Sequence, residues 1–338
     1  MFFRGIEMER FDGASRTQRW TLSMKSVLSS ICGVMVMRSR KVPRWENMDR
    51  DILAKIFEKL NVVDITMGAS RVCVTWFLVA HQKSLWKTIN LANSRLVDFK
   101  HPRVQNLRLD SQNVIEGLHN LRRVLLEITK FSGTVPTNLF FNFYSFIEDE
   151  DLIIASERMP NIRKLVLSQW CTISENVYQL AFSQWKNLHT LIISPHFFLK
   201  GIVKFVRVIG ENCTNLTNLK LSGHVDKYLT EEIVRYLPKL KRVSMRCCVI
   251  DSVQEVSLVI TCLQNLTILN LSHCVLKTLV KGSLFDESFI KTATRKIDTL
   301  IMCSKVGCRL CEDRSRALGS DAFYEKHWRN DEIKELEF

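Results

Sequence analysis

The chain of 338 residues is 46% apolar and 25% charged, with 12 glycines and 6 prolines, which excludes a disordered or fibrous class and allows one large domain or two unequal ones. Its eleven cysteines, odd in number and spread through regularly patterned segments, read as reduced thiols and not as the disulfide framework of a small secreted domain. Of the net charge of +13, nine Lys/Arg against three Asp/Glu place +6 within residues 1–44, which leaves a mildly basic body without the basic, aromatic-interleaved stripe of a nucleic-acid groove.

Residues 1–42 are expected to form a basic, disordered extension. Its apolar run "SVLSSICGVMVM" (26–37) lies too far in and is too polar for a secretory leader, and it is too short to span a membrane. An organelle-targeting leader is the alternative reading of that run. No other segment approaches a membrane-spanning length, so neither membrane nor nucleic acid is expected as a partner. Four Asn-x-Ser/Thr tripeptides begin at Asn212, Asn215, Asn265 and Asn270, but Asn270 falls inside a predicted strand, which argues against glycosylation.

Over 43–90 the pattern becomes helical. Ile52, Leu53, Ile56, Phe57 and Leu60 recur at helical spacing after Asp49, an N-cap candidate. Asp64 is expected to start a second helix whose buried face carries Ile65, Ala69, Val72, Cys73, Trp76 and Ala80, with Gly68 as a weak point. Ser84 is placed to cap a further turn bearing Leu85 and Trp86, followed by a short strand-like run. So few helical residues bury too little surface to stand comfortably alone, and should lean on the rest of the chain or on a partner. The residues by themselves fit a generic three-helix lead-in as well as a docking module.

The remainder repeats itself on the pattern apolar-x-x-Leu-x-Leu. Copies fall at Val104/Leu107/Leu109, Ile162/Leu165/Leu167, Leu188/Leu191/Ile193, Leu216/Leu219/Leu221, Leu240/Val243/Met245, Leu266/Leu269/Leu271 and Ile297/Leu300/Met302, with a degenerate copy at Leu139/Phe141. Their spacings are 32, 26, 26, 28, 24, 26 and 31 residues, too regular for chance. Each Leu-x-Leu reads as a short half-buried strand, and stretches such as "DEDLIIASERMP", "TEEIVRYLPKL" and "SVQEVSLVITCL" read as the intervening helices. The fold class is therefore α/β: three N-terminal helices, then a leucine-rich-repeat solenoid of strand–helix units over 91–303 and a capping tail over 304–338. Cys248 and Cys274, each three residues past a strand's last apolar residue, are expected to pack as small hydrophobes at the turn leaving the strand.

Met48 to Leu53, Ile56-Phe57, Leu60, Asp64, Val72-Cys73, Trp76 and Leu85-Trp86 together resemble an F-box, with Asp49 standing where a proline is usual. With the repeats, the chain resembles plant F-box/leucine-rich-repeat proteins of the SKIP-like group, with an RNI-like solenoid. That resemblance implies a substrate-recognition subunit of a Skp–cullin–F-box ubiquitin ligase acting in the nucleus and/or cytoplasm. The chain would be non-catalytic, without cofactor, bound to a Skp-type adaptor and through it a cullin, and would hold a protein substrate. A non-degradative F-box scaffold is the alternative. The adaptor residues implied are Met48, Ile52, Leu53, Ile56, Phe57, Leu60, Trp76, Leu85 and Trp86. The F-box helices would cap the N-terminal end of the solenoid, and "AFYEKHWRNDEIKELEF" its C-terminal end.

On the concave face, the residues before, between and after each Leu-x-Leu include Lys164, Val166 and Ser168, Thr190, Ile192 and Ser194, Asn218, Lys220 and Ser222, Arg242, Ser244 and Arg246, and Ile268, Asn270 and Ser272. Val166, Ile192, Lys220, Arg242 and Arg246 form the expected substrate site, suited to an acidic or phosphorylated segment with an apolar anchor. A solvated sheet face is the plainer reading. Cys303, Cys308 and Cys311 with His327 have the donor types of a zinc site, but the loose spacing favours reduced thiols in a capping segment, and no metal is assigned. His189, His196, His224 and His273 fall in or after strands without a recognisable carboxylate partner or metal spacing, and the acidic run "IEDEDL" (147–152) suits a helix start. Neither a phosphate loop nor a nucleophile elbow is present in the sequence.

Overall fold

The computed structural model describes residues 45–92, 111–167, 170–194, 202–277, 285–304, 307–316 and 321–338. The extension 1–42 with its apolar run, the repeat copy at Val104/Leu107/Leu109, Ser168 and His196 lie outside the described residues. The chain divides into two compact units, 1–85 and 86–338.

In the first unit, α1 (Arg50–Phe57) begins at Asp49, whose carboxylate accepts the Asp51 N–H at 2.8 Å, as its N-cap position requires. Helix α2 (Val62–Met67) starts before the expected Asp64, because the side-chain oxygen of Asn61 caps it by accepting the Asp64 N–H at 2.8 Å. The continuous second helix anticipated from the sequence does not form. Gly68 ends α2, a 3-10 turn follows over Ala69–Arg71, and extended Cys73 opens α3 (Val74–Ala80). The break turns Val72 outward, 57% exposed, where burial was expected. Trp76, Val79 and Ala80 fill the core with Leu53, Ile56 and Phe57. The Phe57 and Trp76 rings meet edge-on at 5.6 Å, and Trp76 Nε1 donates to the Trp45 carbonyl at 3.2 Å. Ser84 lies within a 3-10 turn, Lys83–Trp86, instead of capping one.

The second unit is built on one eight-stranded parallel sheet. Its strands in spatial order are β1 (Thr88–Asn90), β2 (Asn138–Phe140), β3 (Lys164–Val166), β4 (Thr190–Ile193), β5 (Asn218–Leu221), β6 (Arg242–Ser244), β7 (Ile268–Asn270) and β8 (Thr299–Ile301). Between them run α4 (Ser111–Ser132), α5 (Asp149–Arg158), α6 (Glu175–Gln184), α7 (Ile202–Asn212), α8 (Lys227–Tyr236), α9 (Val253–Cys262) and α10 (Glu287–Lys296), each packed on the next. This is the expected solenoid, with two corrections. β1 pairs directly with β2, so the short run after Trp86 is the first rung among the described residues. The degenerate copy at Leu139/Phe141 is a full strand, with Leu139 and Phe141 both buried.

Register explains the sequence period. Leu139, Leu165, Leu191, Leu219, Val243 and Leu269 stand side by side across the sheet and are all buried, so each coil seals the one before it. The turns are also laddered. Asn161, Asn215 and Asn265 each donate a side-chain N–H to a carbonyl of the preceding coil, at 2.8, 2.9 and 3.1 Å. The thiols of Cys248 and Cys274 are buried and donate to the carbonyls of Leu221 and Met245 at 3.2 and 2.8 Å, the packing role anticipated for them. The acidic run at 147–152 forms a capping box of Glu148 and Asp151 on α5, with Arg122 bridging Glu148, Glu150 and Asp151. Helices α7 and α8 approach closely at Gly210, where an added Cβ would lie 2.7 Å from Tyr236 Cβ and 2.9 Å from its carbonyl carbon. Gly210→Ala should therefore cost about 1–3 kcal/mol, read as a lower urea midpoint for the solenoid transition at unchanged slope.

Candidate functional site

The residues assigned to adaptor docking separate by burial. Ile52 is 56% exposed, and Met48, Leu60 and Leu85 are half-buried. Leu53, Ile56, Phe57 and Trp76 are instead the core of the first unit. Trp86 needs the largest correction. It belongs to the second unit, is fully buried and stacks on Phe131 with ring centroids 5.8 Å apart, so it seats the first solenoid coil and is not open to a partner.

Sequence reasoning missed the outward apolar residues Val74, Phe77 and Leu78, at 74, 46 and 45% exposure. Spaced i, i+3 and i+4, they share one face of α3, opposite the buried Trp76 and Ala80. The signal was present in "VTWFLVA": a surface helix that is apolar all round has a second face to cover.

The predicted substrate face is arranged as expected, but residues 323–338 cover it. Val166 and Ile192, both fully buried, pack in one cluster with Phe140, Phe143 and Cys247 from the coils and Phe323, Tyr324 and Trp328 from the C-terminal segment. Trp328 meets Phe143 edge-on at 4.8 Å and Phe338 at 4.9 Å. Tyr324 and Phe323 belong to a short helix, α12 (Asp321–His327), which follows α11 (Arg309–Arg316).

Beyond the apolar cluster the contacts turn ionic. Lys220, 1% exposed, pairs with Asp331 at 3.1 Å and donates to the Asn330 carbonyl at 2.7 Å. Asp331 also accepts from Ser244 Oγ at 2.6 Å, Asn270 Nδ2 at 2.9 Å and the Ile333 N–H at 2.9 Å. Arg246 donates to Glu332 and to the His327 carbonyl, both at 3.1 Å, and Arg242 reaches Glu335 at 3.7 Å. Lys164 donates to the Glu337 carbonyl, and Arg329 to that of Ala92 at the start of the sheet.

The substrate-site assignment is corrected accordingly: Val166, Ile192, Lys220 and Arg246 are buried under the chain's own tail, and Arg242, half-buried, is paired with Glu335 of the same tail. The tail is correspondingly not an end cap but a strip laid along the strands. Burial pushes the Lys220 ammonium below its ordinary value, against the pull of Asp331. Burial, with the charge of Lys220 adding to it, brings Lys164 down to about 8. For Glu332, burial raises the carboxyl, but hydrogen bonds from His273, Asn270 and Ser272 and the Arg246 charge outweigh it and hold the group far below the carboxylate range.

Three histidine and cysteine placements differ from expectation. His224 has a carboxylate partner, Asp251, at 2.7 Å, with Lys277 on the same oxygen at 2.8 Å. His327 tilts against Phe323, with centroids 4.8 Å apart. His273, read as a simple turn residue, stands with Cys303, Cys308 and Cys311, their ligand atoms all within 4.8 Å of one another. None of the ten described cysteines is in a disulfide.

The F-box-like family model matches residues 50–92. The Arabidopsis thaliana protein named Putative F-box protein At4g11580 is 44% identical over 334 residues, covering 89% of this chain and 98% of that protein. F-box/LRR-repeat protein At3g48880 of the same plant is 29% identical, covering 88% of this chain and 97% of its own length. F-box protein SKIP19, also of Arabidopsis thaliana, is 23% identical over 60% of each chain. With the F-box match falling on its N-terminal helices and a full-length relative at this identity, the chain belongs to the plant F-box proteins.

Proposed function

We propose that this F-box protein is a substrate receptor of a Skp–cullin–F-box ubiquitin ligase, docking a Skp-type adaptor through its first unit and a protein substrate through its solenoid. The observation that carries the adaptor half is the outward apolar set Ile52, Val72, Val74, Phe77 and Leu78 in a unit whose core is already complete without them. The receptor itself performs no chemistry in this reading. It holds a target lysine near a loaded conjugating enzyme, and its contribution is proximity.

The second reading, a non-degradative scaffold, draws on the covered concave face, since a protein that needs no substrate can afford a filled groove. Capture of full-length protein under proteasome inhibition separates the two. Ubiquitinated partners that depend on residues 50–92 support the receptor, and partners without ubiquitin support the scaffold.

Burying one large apolar side chain is worth about 1.5–3 kcal/mol, so the pair Val74→Glu and Leu78→Glu should weaken Skp-type adaptor binding about a hundredfold or more. Calorimetry against purified adaptor would measure this, with far-UV circular dichroism unchanged. Unaltered affinity would place the docking surface away from α3. By contrast, Ile56→Ala with Phe57→Ala removes core, at about 2–5 kcal/mol for each large-to-small change, and should unfold the first unit instead of reporting on docking.

Lys220→Ala leaves Asp331 buried without its cation, a loss of about 3–5 kcal/mol. The C-terminal strip should come away first, which limited proteolysis would register as cleavage within 321–338 of a solenoid that keeps its far-UV spectrum.

A further inference from the structure

His273 and three cysteines come together from three separate stretches of chain, and ordinary core packing does not account for the convergence. Cys303 follows β8, while Cys308 and Cys311 flank the first turn of α11. His273 lies on the turn leaving β7. Cys311 Sγ is 3.7 Å from Cys303 Sγ, and His273 Nδ1 is 3.4 Å from Cys311 Sγ and 3.5 Å from Cys308 Sγ. All four side chains are half-buried, enough to exclude much water yet still reachable by an ion.

These separations are those of a coordination tetrahedron. Zinc–sulfur bonds of about 2.3 Å and zinc–nitrogen bonds of about 2.0 Å put ligand sulfurs about 3.8 Å apart and sulfur from nitrogen about 3.5 Å. A disulfide between Cys303 and Cys311 would instead need a sulfur separation of about 2.05 Å.

One feature beyond the four ligands points the same way. The other ring nitrogen of His273, Nε2, lies 3.6 Å from Glu332 Oε1. A carboxylate behind a ligating histidine orients the ring and fixes its tautomer. Glu332 is itself anchored by Ser272 Oγ at 2.7 Å and Arg246 Nε at 3.1 Å.

The geometry points to a structural zinc site formed by His273 Nδ1 and the thiolates of Cys303, Cys308 and Cys311, with Glu332 as the carboxylate behind the histidine. The four protein ligands fill a tetrahedral shell, so the site has no open position for catalysis and acts as a clip. It ties the last coils of the solenoid to the segment after β8 and, through Glu332, to the strip over the concave face. The three thiols give up their protons to solvent on binding, so affinity should fall with falling pH.

Full-length protein purified without added metal and analysed by elemental mass spectrometry should hold about one zinc per chain. Cobalt substitution should give a thiolate-to-metal charge-transfer band with the visible bands of tetrahedral cobalt. Cys303→Ser with Cys311→Ser should abolish both signals, and His273→Ala should lower zinc affinity at least a hundredfold in chelator competition. Glu332→Gln, which touches no metal, should lower it about 10–100-fold. His327→Ala should retain full zinc content, which distinguishes the spatial site from the one sequence spacing suggested. Failure of the full-length, reduced and folded chain to retain zinc after dialysis against a micromolar excess would overturn the proposal. Unchanged affinity in His273→Ala would overturn the ligand set.

Discussion

A parallel sheet has two faces to cover, and this solenoid covers the second with its own C-terminus. The helices seal one face through the stacked leucines. The other carries Val166 and Ile192 beside Lys220, Ser244 and Asn270, a mixture that neither water nor a plain apolar layer would satisfy. Asp331 resolves it: its two oxygens take bonds from Lys220, Ser244, Asn270 and the Ile333 amide, which leaves the buried charge both paired and hydrogen-bonded. Such a pair is worth little as net stability, since desolvation consumes most of the attraction. It does fix register, because only one alignment of the strip puts Asp331 against Lys220 while Phe323, Tyr324 and Trp328 reach the apolar coils. The aromatic cluster supplies the attraction, and the ion pair decides where it is spent.

That division bears on what a free segment could bind on this face. The expectation of an acidic segment with an apolar anchor describes the tail itself: Trp328 as anchor, then Asp331, Glu332 and Glu335 on Lys220, Arg246 and Arg242. A tethered ligand competes at an effective concentration on the order of millimolar, so a free segment binding the bare face would face a thousandfold handicap at micromolar levels. A target that reads the outer side of the strip, with its exposed Lys326, Lys334, Glu335 and Glu337, pays no such penalty.

How much of this was legible depended on the range of the interaction. The repeat was readable because each Leu-x-Leu is a local pattern with period 2, recurring at a nearly fixed interval. The first helix was readable because Asp49 caps it locally. Trp86 was misplaced because its partner, Phe131, lies across the first coil, and a motif boundary at residue 90 does not reveal that the structural division falls before Trp86. The concave residues were placed on the right face, yet nothing near Lys220 announces an occupant more than a hundred residues later. The tail did carry a hint, since "AFYEKHWRNDEIKELEF" combines three aromatics near its start with acids at helical and extended offsets, which is poor composition for a solvated cap. His273 was dismissed for lack of sequence neighbours. Parallel stacking brings the turn after β7 beside the segment after β8, a juxtaposition that the repeat period itself predicts once the strands are aligned.

The first unit makes the complementary point about economy in a small module. Its core is one aromatic pair, Phe57 on Trp76, with Leu53, Ile56 and Val79 around it. The large apolar residues left over are not spread at random: Val74, Phe77 and Leu78 stand on a single face of a helix that Gly68 and Cys73 have separated from the one before. Val74, Phe77 and Leu78 lie opposite Trp76 whether or not the chain breaks at Gly68; what the break changes is Val72, which a continuous helix would have buried with Trp76 and which is instead 57% exposed. The interruption therefore does two things at once. It leaves Trp76 in the core, and it adds Val72 to the apolar side chains that the unit exposes, a concentration of outward apolar surface uncommon on a module of this size.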